Sequence, residues 1–482
     1  MRRHILLMLA ALLLPLAALG AKEGYKITFQ ANGNQDTMML LCYYHANARY
    51  ITDTAYNNGK GRYVFEDKKK VLKPGLYYIS NNRDKQLDLV IYNNETRFTL
   101  TVDNQNWGRT AEAKGSKENE LFYSFNHMSD VLYQEMEEAQ AELDSATFYG
   151  EYVPAKTKQI DSMRMAFIEQ HPKAMISRMM LATKDVAIPT HHADGTKMDM
   201  RERHEWLLSH YFDNVPLDDD FIIRTPQSVF YDRVMEYVDV YMNKMPPSMI
   251  CPRLDTLIDR AEPAPEVFRW LVHTMAEKFL QSKIMVYDEV YVHLVKRYYE
   301  TGKAFWMSPS GIDKEVERAT KWERLLVGKV SPELILFDTL RRAHSLHHMP
   351  GQYTLLLFWS PTCGHCRDII PAVYKVYEQY ADTLQMSAFS ILSEPDEHTT
   401  DKWKKFLTEH GIDHPRWVNL GGGEANVDWR EVYDVQTTPQ IYLIENKGNT
   451  IIAKKLGAEI LEMMCKDLMR KQKYLNADVF KP

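Results

Sequence analysis

The sequence predicts a multidomain protein: a small all-β N-terminal domain, a central α-helical domain and a C-terminal α/β domain. Three observations predict it. Short β-branched and aromatic runs with turn punctuation fill the first hundred residues, and apolar residues at three- and four-residue spacing follow. Near the end, an apolar strand pattern runs into a Cys-x-x-Cys pair at the start of a helical pattern. With 482 residues the chain is too long for one core, and three domains is the prior for that length.

The first element is a leader. Arg2 and Arg3 give a positive start, Ile5–Leu19 is apolar apart from Pro15, and Ala18-Leu19-Gly20 offers small residues for cleavage. The apolar stretch is short for a membrane span, so residues 1–20 read as a secretory signal peptide rather than an uncleaved anchor. No cysteine follows it, which removes the usual bacterial lipoprotein attachment, and no later segment is apolar enough to span a bilayer. The expected mature protein is exported and has no stable membrane span. Net charge is −6, or −8 once Arg2 and Arg3 leave, which argues against nucleic acid as a partner. Five cysteines are too few for a disulfide-stapled scaffold, so a close pair among them reads as chemistry.

Residues 21–105 form the β-rich domain. Tyr25–Gln30, Thr37–Tyr44, Gly61–Phe65, Gly75–Ser80, Leu87–Tyr92 and Arg97–Val102 are the expected strands, separated by Asn, Gly, Asp and Lys clusters. Regular short strands of this kind predict a small sandwich or barrel. Asn94-Glu95-Thr96 has the form of a glycosylation site but reads as a solvated turn.

Residues 106–325 switch to helical period. Leu121, Phe122, Phe125, Met128, Val131, Leu132 and Met136 make one apolar stripe, and similar stripes recur to residue 300 without a fixed repeat, which predicts an irregular bundle. His191-His192, His204 with His210, and His347-His348 lack the spacing of helical ligand pairs and read as surface histidines. Met163, Met165, Met175, Met179 and Met180 read as flexible core packing rather than a copper site. Asp218-Asp219-Asp220 reads as a solvated loop or helix cap, and Tyr287, Tyr291, Tyr298 and Tyr299 as packing. No metal site is expected.

Residues 326–482 carry the chemistry. Tyr353–Leu357 leads into Phe358-Trp359-Ser360-Pro361-Thr362-Cys363-Gly364-His365-Cys366. The first sulfur lies at a helix N-terminus, where free N–H groups and the helix dipole favour the thiolate, the species that attacks disulfides. His365 between the sulfurs adds to that. A zinc knuckle is the competing reading, but structural zinc needs four ligands and Cys42, Cys251 and Cys465 are isolated. Cys42 and Cys465 lie in apolar surroundings and read as buried free thiols; Cys251, after Pro246-Pro247, is the least predictable, and a Cys42–Cys251 bridge is the open alternative.

The surroundings of the pair resemble the thioredoxin superfamily. Trp359 stands four residues before Cys363, Pro371 stands five after Cys366, and Thr437-Thr438-Pro439-Gln440 resembles the family's cis-proline loop. Glu445–Asn449 reads as a hairpin turn between strands 441–445 and 450–454, and Gly457 precedes a final helix. The insertion between Cys366 and Pro439 holds a strand (Met386–Leu392), a helix (roughly 400–410) and a strand (Arg416–Leu420). With the entry segment from Leu326 to Asp338, it resembles the TlpA/ResA-like branch of exported thiol–disulfide oxidoreductases. The β-rich and helical parts resemble the front domains of multidomain bacterial members.

The resemblance implies a thioredoxin-like fold and an oxidoreductase of the periplasm or cell envelope that acts on disulfide-containing client proteins. Cys363 is then the nucleophile and Cys366 the resolving thiol, the two forming a redox-active disulfide. His365 tunes the thiolate, Trp359 shields the site, and Thr438 with Pro439 positions the client backbone. A membrane thiol-relay partner supplies electrons, and no metal or organic cofactor is required. Two departures stand out. Leu357 and Ile369 occupy positions where relatives carry acids that accept the second thiol's proton, so water, the nearby Asp368 or an acid from another domain takes it, or the second half-reaction is slow. That favours the alternative of a cell-envelope binding protein whose thioredoxin-like domain is mainly structural.

Overall fold

Strand alternation builds the N-terminal domain. In the computed structural model, which describes residues 24–478 except Thr339 and Pro395, eight strands form two four-stranded sheets. They are β1 (Tyr25–Asn32), β2 (Met38–His45), β3 (Ala48–Tyr56), β4 (Arg62–Asp67), β5 (Gly75–Ser80), β6 (Gln86–Ile91), β7 (Arg97–Asp103) and β8 (Glu112–Lys114). One sheet has the order β4-β1-β7-β8 and the other β3-β2-β5-β6. Ile27, Phe29, Tyr63, Phe65 and Leu100 are wholly buried in the first, Met39, Leu41, Ile79 and Leu89 in the second. The signal sequence expected over residues 1–20 lies outside the described residues.

All six expected strands are present, and two more join them. β3 carries no apolar alternation, because most of it is exposed or half-buried. Its turn from β2 passes through Ala46 at φ 51°, without the glycine that usually marks such a turn. β8 extends the first sheet past residue 105, pairing antiparallel with β7.

The helical region begins at Lys117–Glu142, where the Ser116 hydroxyl accepts the Asn119 N–H at 3.1 Å and caps the first turn. The buried Asn119 amide bonds both backbone groups of Val90, so this helix is tied to β6. Further helices include Val153–Gln170, Met200–His210, Pro247–Arg260, Pro265–Leu280, Asp288–Leu294 and Pro309–Arg324. Asp220 Oδ1 accepts the N–H groups of Glu266 and Val267, so part of the acidic run is a helix cap. Met175 and Met180 are buried, as are Tyr287, Tyr291, Tyr298 and Tyr299. Among the described residues no group of three His, Cys, Asp or Glu side chains converges as metal ligands.

The described chain divides into two compact units. One runs through Asn243 and takes in Asp259–Phe268; the other holds Lys244–Ile258 and the chain from Arg269 onward. The helical region is therefore shared between the units, and its last helices belong to the same unit as the C-terminal domain.

That domain is built on a seven-stranded sheet, β10-β9-β13-β12-β11-β14-β15. Its strands are β9 (Ile335–Asp338), β10 (Ala343–Ser345), β11 (Tyr353–Trp359), β12 (Met386–Leu392), β13 (Trp417–Ala425), β14 (Gln440–Glu445) and β15 (Thr450–Lys454). β11, β12 and β13 are parallel, while β14 runs antiparallel to β11 and β15 antiparallel to β14. Every residue of β11 and β12 is buried, as central strands covered on both faces require. Period two sorts β11: Leu355, Leu357 and Trp359 join one apolar cluster, Leu356 and Phe358 the other. The first cluster takes in the helices Gly364–Tyr380 and Ala458–Asp478. This places Cys366, wholly buried, on the same face as Leu357. Among the described residues no helix is long and apolar enough to cross a membrane.

Candidate active site

Cys363 stands at the N-cap of the helix Gly364–Tyr380, with φ −77° and ψ 119°, directly after the central strand β11 and its short loop. The sequence folds this way because Ser360-Pro361-Thr362 cannot continue a strand, and the Cys363 carbonyl already accepts the Arg367 N–H at 3.2 Å. Pro371 lies inside the helix, and the Thr438–Pro439 peptide is cis. The Cys363 thiol donates to the Thr438 carbonyl at 3.4 Å, so the two loops that the sequence singled out meet at this sulfur.

The two thiols differ in environment. Cys363 is half-buried and Cys366 wholly buried, and both are free. Partial burial pushes the Cys363 thiol up, but the first-turn N–H groups of Cys366 and His365, the Cys366 thiol and Thr438 outweigh it. They hold Cys363 below the ordinary cysteine value. Burial pushes Cys366 well above that value, and its neighbour Cys363 adds to the rise. One sulfur is poised to be a thiolate while the other keeps its proton.

In the reduced full-length chain, iodoacetamide at pH 7 should therefore modify Cys363 at least about tenfold faster than Cys366. Peptide mass spectrometry reads the two rates directly, and equal rates would contradict the asymmetry.

Trp359 is wholly buried beneath the loop, where its indole N–H donates to Ser390 Oγ at 2.9 Å and its ring packs on Phe406 at 5.2 Å. Trp359→Phe keeps most of the apolar volume but removes the donor to a buried hydroxyl. A loss of about 1–2 kcal/mol is expected in urea unfolding, and an unchanged midpoint would sink that account. His365 is exposed beside the pair.

Sequence reasoning missed the supports of the loop. The Glu394 carboxylate accepts from Ser360 Oγ at 2.9 Å and Thr362 Oγ1 at 2.8 Å, fixing the turn that carries Cys363. Ser390 and Glu394 follow Cys363 by more than two dozen residues and belong to no motif, so only the parallel pairing of β11 with β12 brings them in. Leu357 is wholly buried among apolar side chains, so the strand offers no acid to Cys366. Asp368 is exposed. Cys42, Cys251 and Cys465 are buried free thiols, and a Cys42–Cys251 bridge is absent.

Together these features define a thioredoxin-like domain of the thiol–disulfide oxidoreductase kind. Residues 351–450 match the thioredoxin-like family model, residues 25–122 match a domain of unknown function (DUF4369), and residues 155–320 match another (DUF5106). The chain is similar to thioredoxin-like protein YneN of Bacillus subtilis, 27% identical over 121 residues, which covers 25% of this chain and 66% of YneN. It is also similar to thiol-disulfide oxidoreductase ResA of Bacillus thuringiensis, 24% identical over 132 residues, or 27% of this chain and 71% of ResA. A solved thioredoxin-like protein from Bacteroides caccae aligns with 59% of this chain and 98% of its own at 20% identity and TM-score 0.46.

Proposed function

We propose that the protein is an exported thiol–disulfide oxidoreductase acting on protein disulfides through Cys363 and Cys366. The observation that carries this reading is the split between the two thiols, one lowered at a helix N-terminus and one raised by burial. The Cys363 thiolate attacks one client sulfur, forming a mixed disulfide and releasing the other client sulfur as a thiolate. Cys366 then loses its proton to water and attacks Cys363 Sγ. The Cys363–Cys366 bond forms and the second client thiolate leaves. The client gains two electrons and the dithiol loses two; a dithiol reductant, in the cell a membrane thiol relay, returns them.

His365 tunes the Cys363 thiolate, Trp359 supports the loop from beneath, and Thr438 with Pro439 presents backbone to the client. The leader expected over residues 1–20 supports a periplasmic or cell-envelope location. The domain limits we propose are residues 21–105, 106–325 and 326–482, with the first carried on to Lys114 by β8.

The test is redox equilibration of the full chain in glutathione and dithiothreitol buffers, read by thiol labelling. A single two-electron transition is expected. A midpoint near about −270 mV marks a reductant and one near about −180 mV isomerase-like chemistry. A pair that never cycles ends the enzyme reading and leaves a binding protein.

A further inference from the structure

A cavity of about 440 Å³ lies beside the reactive pair, within the C-terminal unit. His365, Thr437 and Pro439 line it on the redox side. Cys363 is joined to that rim, since its thiol donates to the carbonyl of Thr438 between two lining residues. Its lining also includes two residues of the helical region: Asp288 and Trp322 precede the thioredoxin-like domain in the chain.

Asp288 is the unusual member. Its side chain is 2% exposed, Oδ2 is paired with the Lys454 ammonium, and Oδ1 makes no hydrogen bond with any described residue. A buried carboxylate oxygen without a donor costs free energy unless something supplies one. Lys455 lines the same cavity, with its amine held by the Ser282 carbonyl at 2.9 Å and lying over the Trp322 ring. Asp434 accepts the Trp322 indole N–H at 2.7 Å. Two carboxylates and two ammonium groups thus line the space, which balances its charge and disfavours a charged occupant.

We propose that this cavity is a client subsite, completed by Asp288 and Trp322 of the helical region, for a peptide segment with an uncharged amide side chain beside its reactive cysteine. An Asn or Gln amide offers the N–H donor that Asp288 Oδ1 lacks and a carbonyl for the Lys455 ammonium. The volume, within the usual range of ligand sites, takes that side chain together with adjoining backbone. The helical region then selects clients instead of merely preceding the redox domain. This inference rests on the oxidoreductase reading above.

The experiment measures dithiothreitol-driven reduction of four short peptide disulfides by the full chain. They carry Gln, Leu, Lys or Glu on both sides of the cysteine, and 2-hydroxyethyl disulfide serves as a substrate without a side chain. The Gln peptide should exceed the other three by about tenfold in kcat/KM, the discrimination expected of hydrogen bonds to charged groups. Asp288→Leu/Lys454→Met, which removes both charges together, should bring the Gln:Leu ratio to about one. Lys455→Met, at an exposed position, should cut the ratio as well, and it keeps the test open where the double variant fails to fold. Equal rates for all four peptides alongside brisk reduction of 2-hydroxyethyl disulfide would overturn the subsite and leave the oxidoreductase reading intact. A Gln preference that survives the double variant, or Lys455→Met where the double variant is lost, also overturns it. Failure to reduce any of the disulfides would bring down both.

Discussion

Cys363→Ser is expected to reduce client disulfides no faster than the uncatalysed background, a loss on the order of 10³-fold or more, with little change in thermal stability. The reason is local. Cys363 is the sulfur that is only half-buried, meets the Thr438 carbonyl and is held below the ordinary thiol range. A serine hydroxyl there is not ionised near neutral pH and forms no disulfide. Cys366→Ala should behave differently. It keeps the attacking thiolate and removes the buried thiol that releases the client, so clients accumulate as mixed disulfides on Cys363 and resist removal without added reductant. Retained wild-type turnover in Cys363→Ser would dismiss the mechanism, and an empty Cys366→Ala trap would favour the binding-protein alternative.

The pH profile follows from the same asymmetry. The first attack should quicken as pH rises and level off below about 8.5, the value of a free cysteine. For stability the sign is equally definite. The lowered Cys363 favours the folded reduced chain above the unfolded thiol value and loses that contribution as pH falls through its own. The raised Cys366 contributes below the unfolded thiol value and loses it at higher pH. Stabilising one thiolate in the reduced form also makes the couple more oxidising, the direction expected for a Cys-Gly-His-Cys sequence.

Lys454→Met should cost about 3–5 kcal/mol, because it strands the Asp288 carboxylate without its partner. Lys454 is 7% exposed at the side chain and Asp288 2%, and the ammonium also donates to the Leu325 carbonyl at 2.9 Å. Replacing both partners, as in Asp288→Leu/Lys454→Met, should recover most of that loss, since apolar groups of similar volume are cheaper to bury than one lone charge. Denaturant unfolding of the three proteins decides the matter: equal losses for the single and double variants would mean that the two side chains act independently.

Much of the C-terminal domain was legible in the residues. β11 and β12 are mostly apolar runs, the Cys-x-x-Cys pair marks the strand-to-helix turn, and Thr438-Pro439 marks the facing loop. Each signal lies within a few residues of chain. In the N-terminal domain the six expected strands, short β-branched and aromatic runs between turn clusters, were equally plain. β3 was not, because most of its residues are exposed or half-buried and its turn at Ala46 uses no glycine. Along the chain the helical region reads as one stretch, yet its members divide between two compact units. That division depends on which apolar faces find one another, and helical periodicity does not carry that information.

The sequence by itself determined the local parts of the site: two sulfurs, a helix N-terminus, a tryptophan beneath the cysteine loop and a proline loop, all written at short range. It also determined the absence of an acid at Leu357. Only the tertiary structure decided what surrounds that chemistry. Glu394 bracing the cysteine loop, Ser390 holding Trp359, and Asp288 meeting Lys454 across more than 150 residues of chain have no local signature. Hydrogen bonds and buried ion pairs depend on distances of a few ångströms in space, and those are set by how sheet and helices pack.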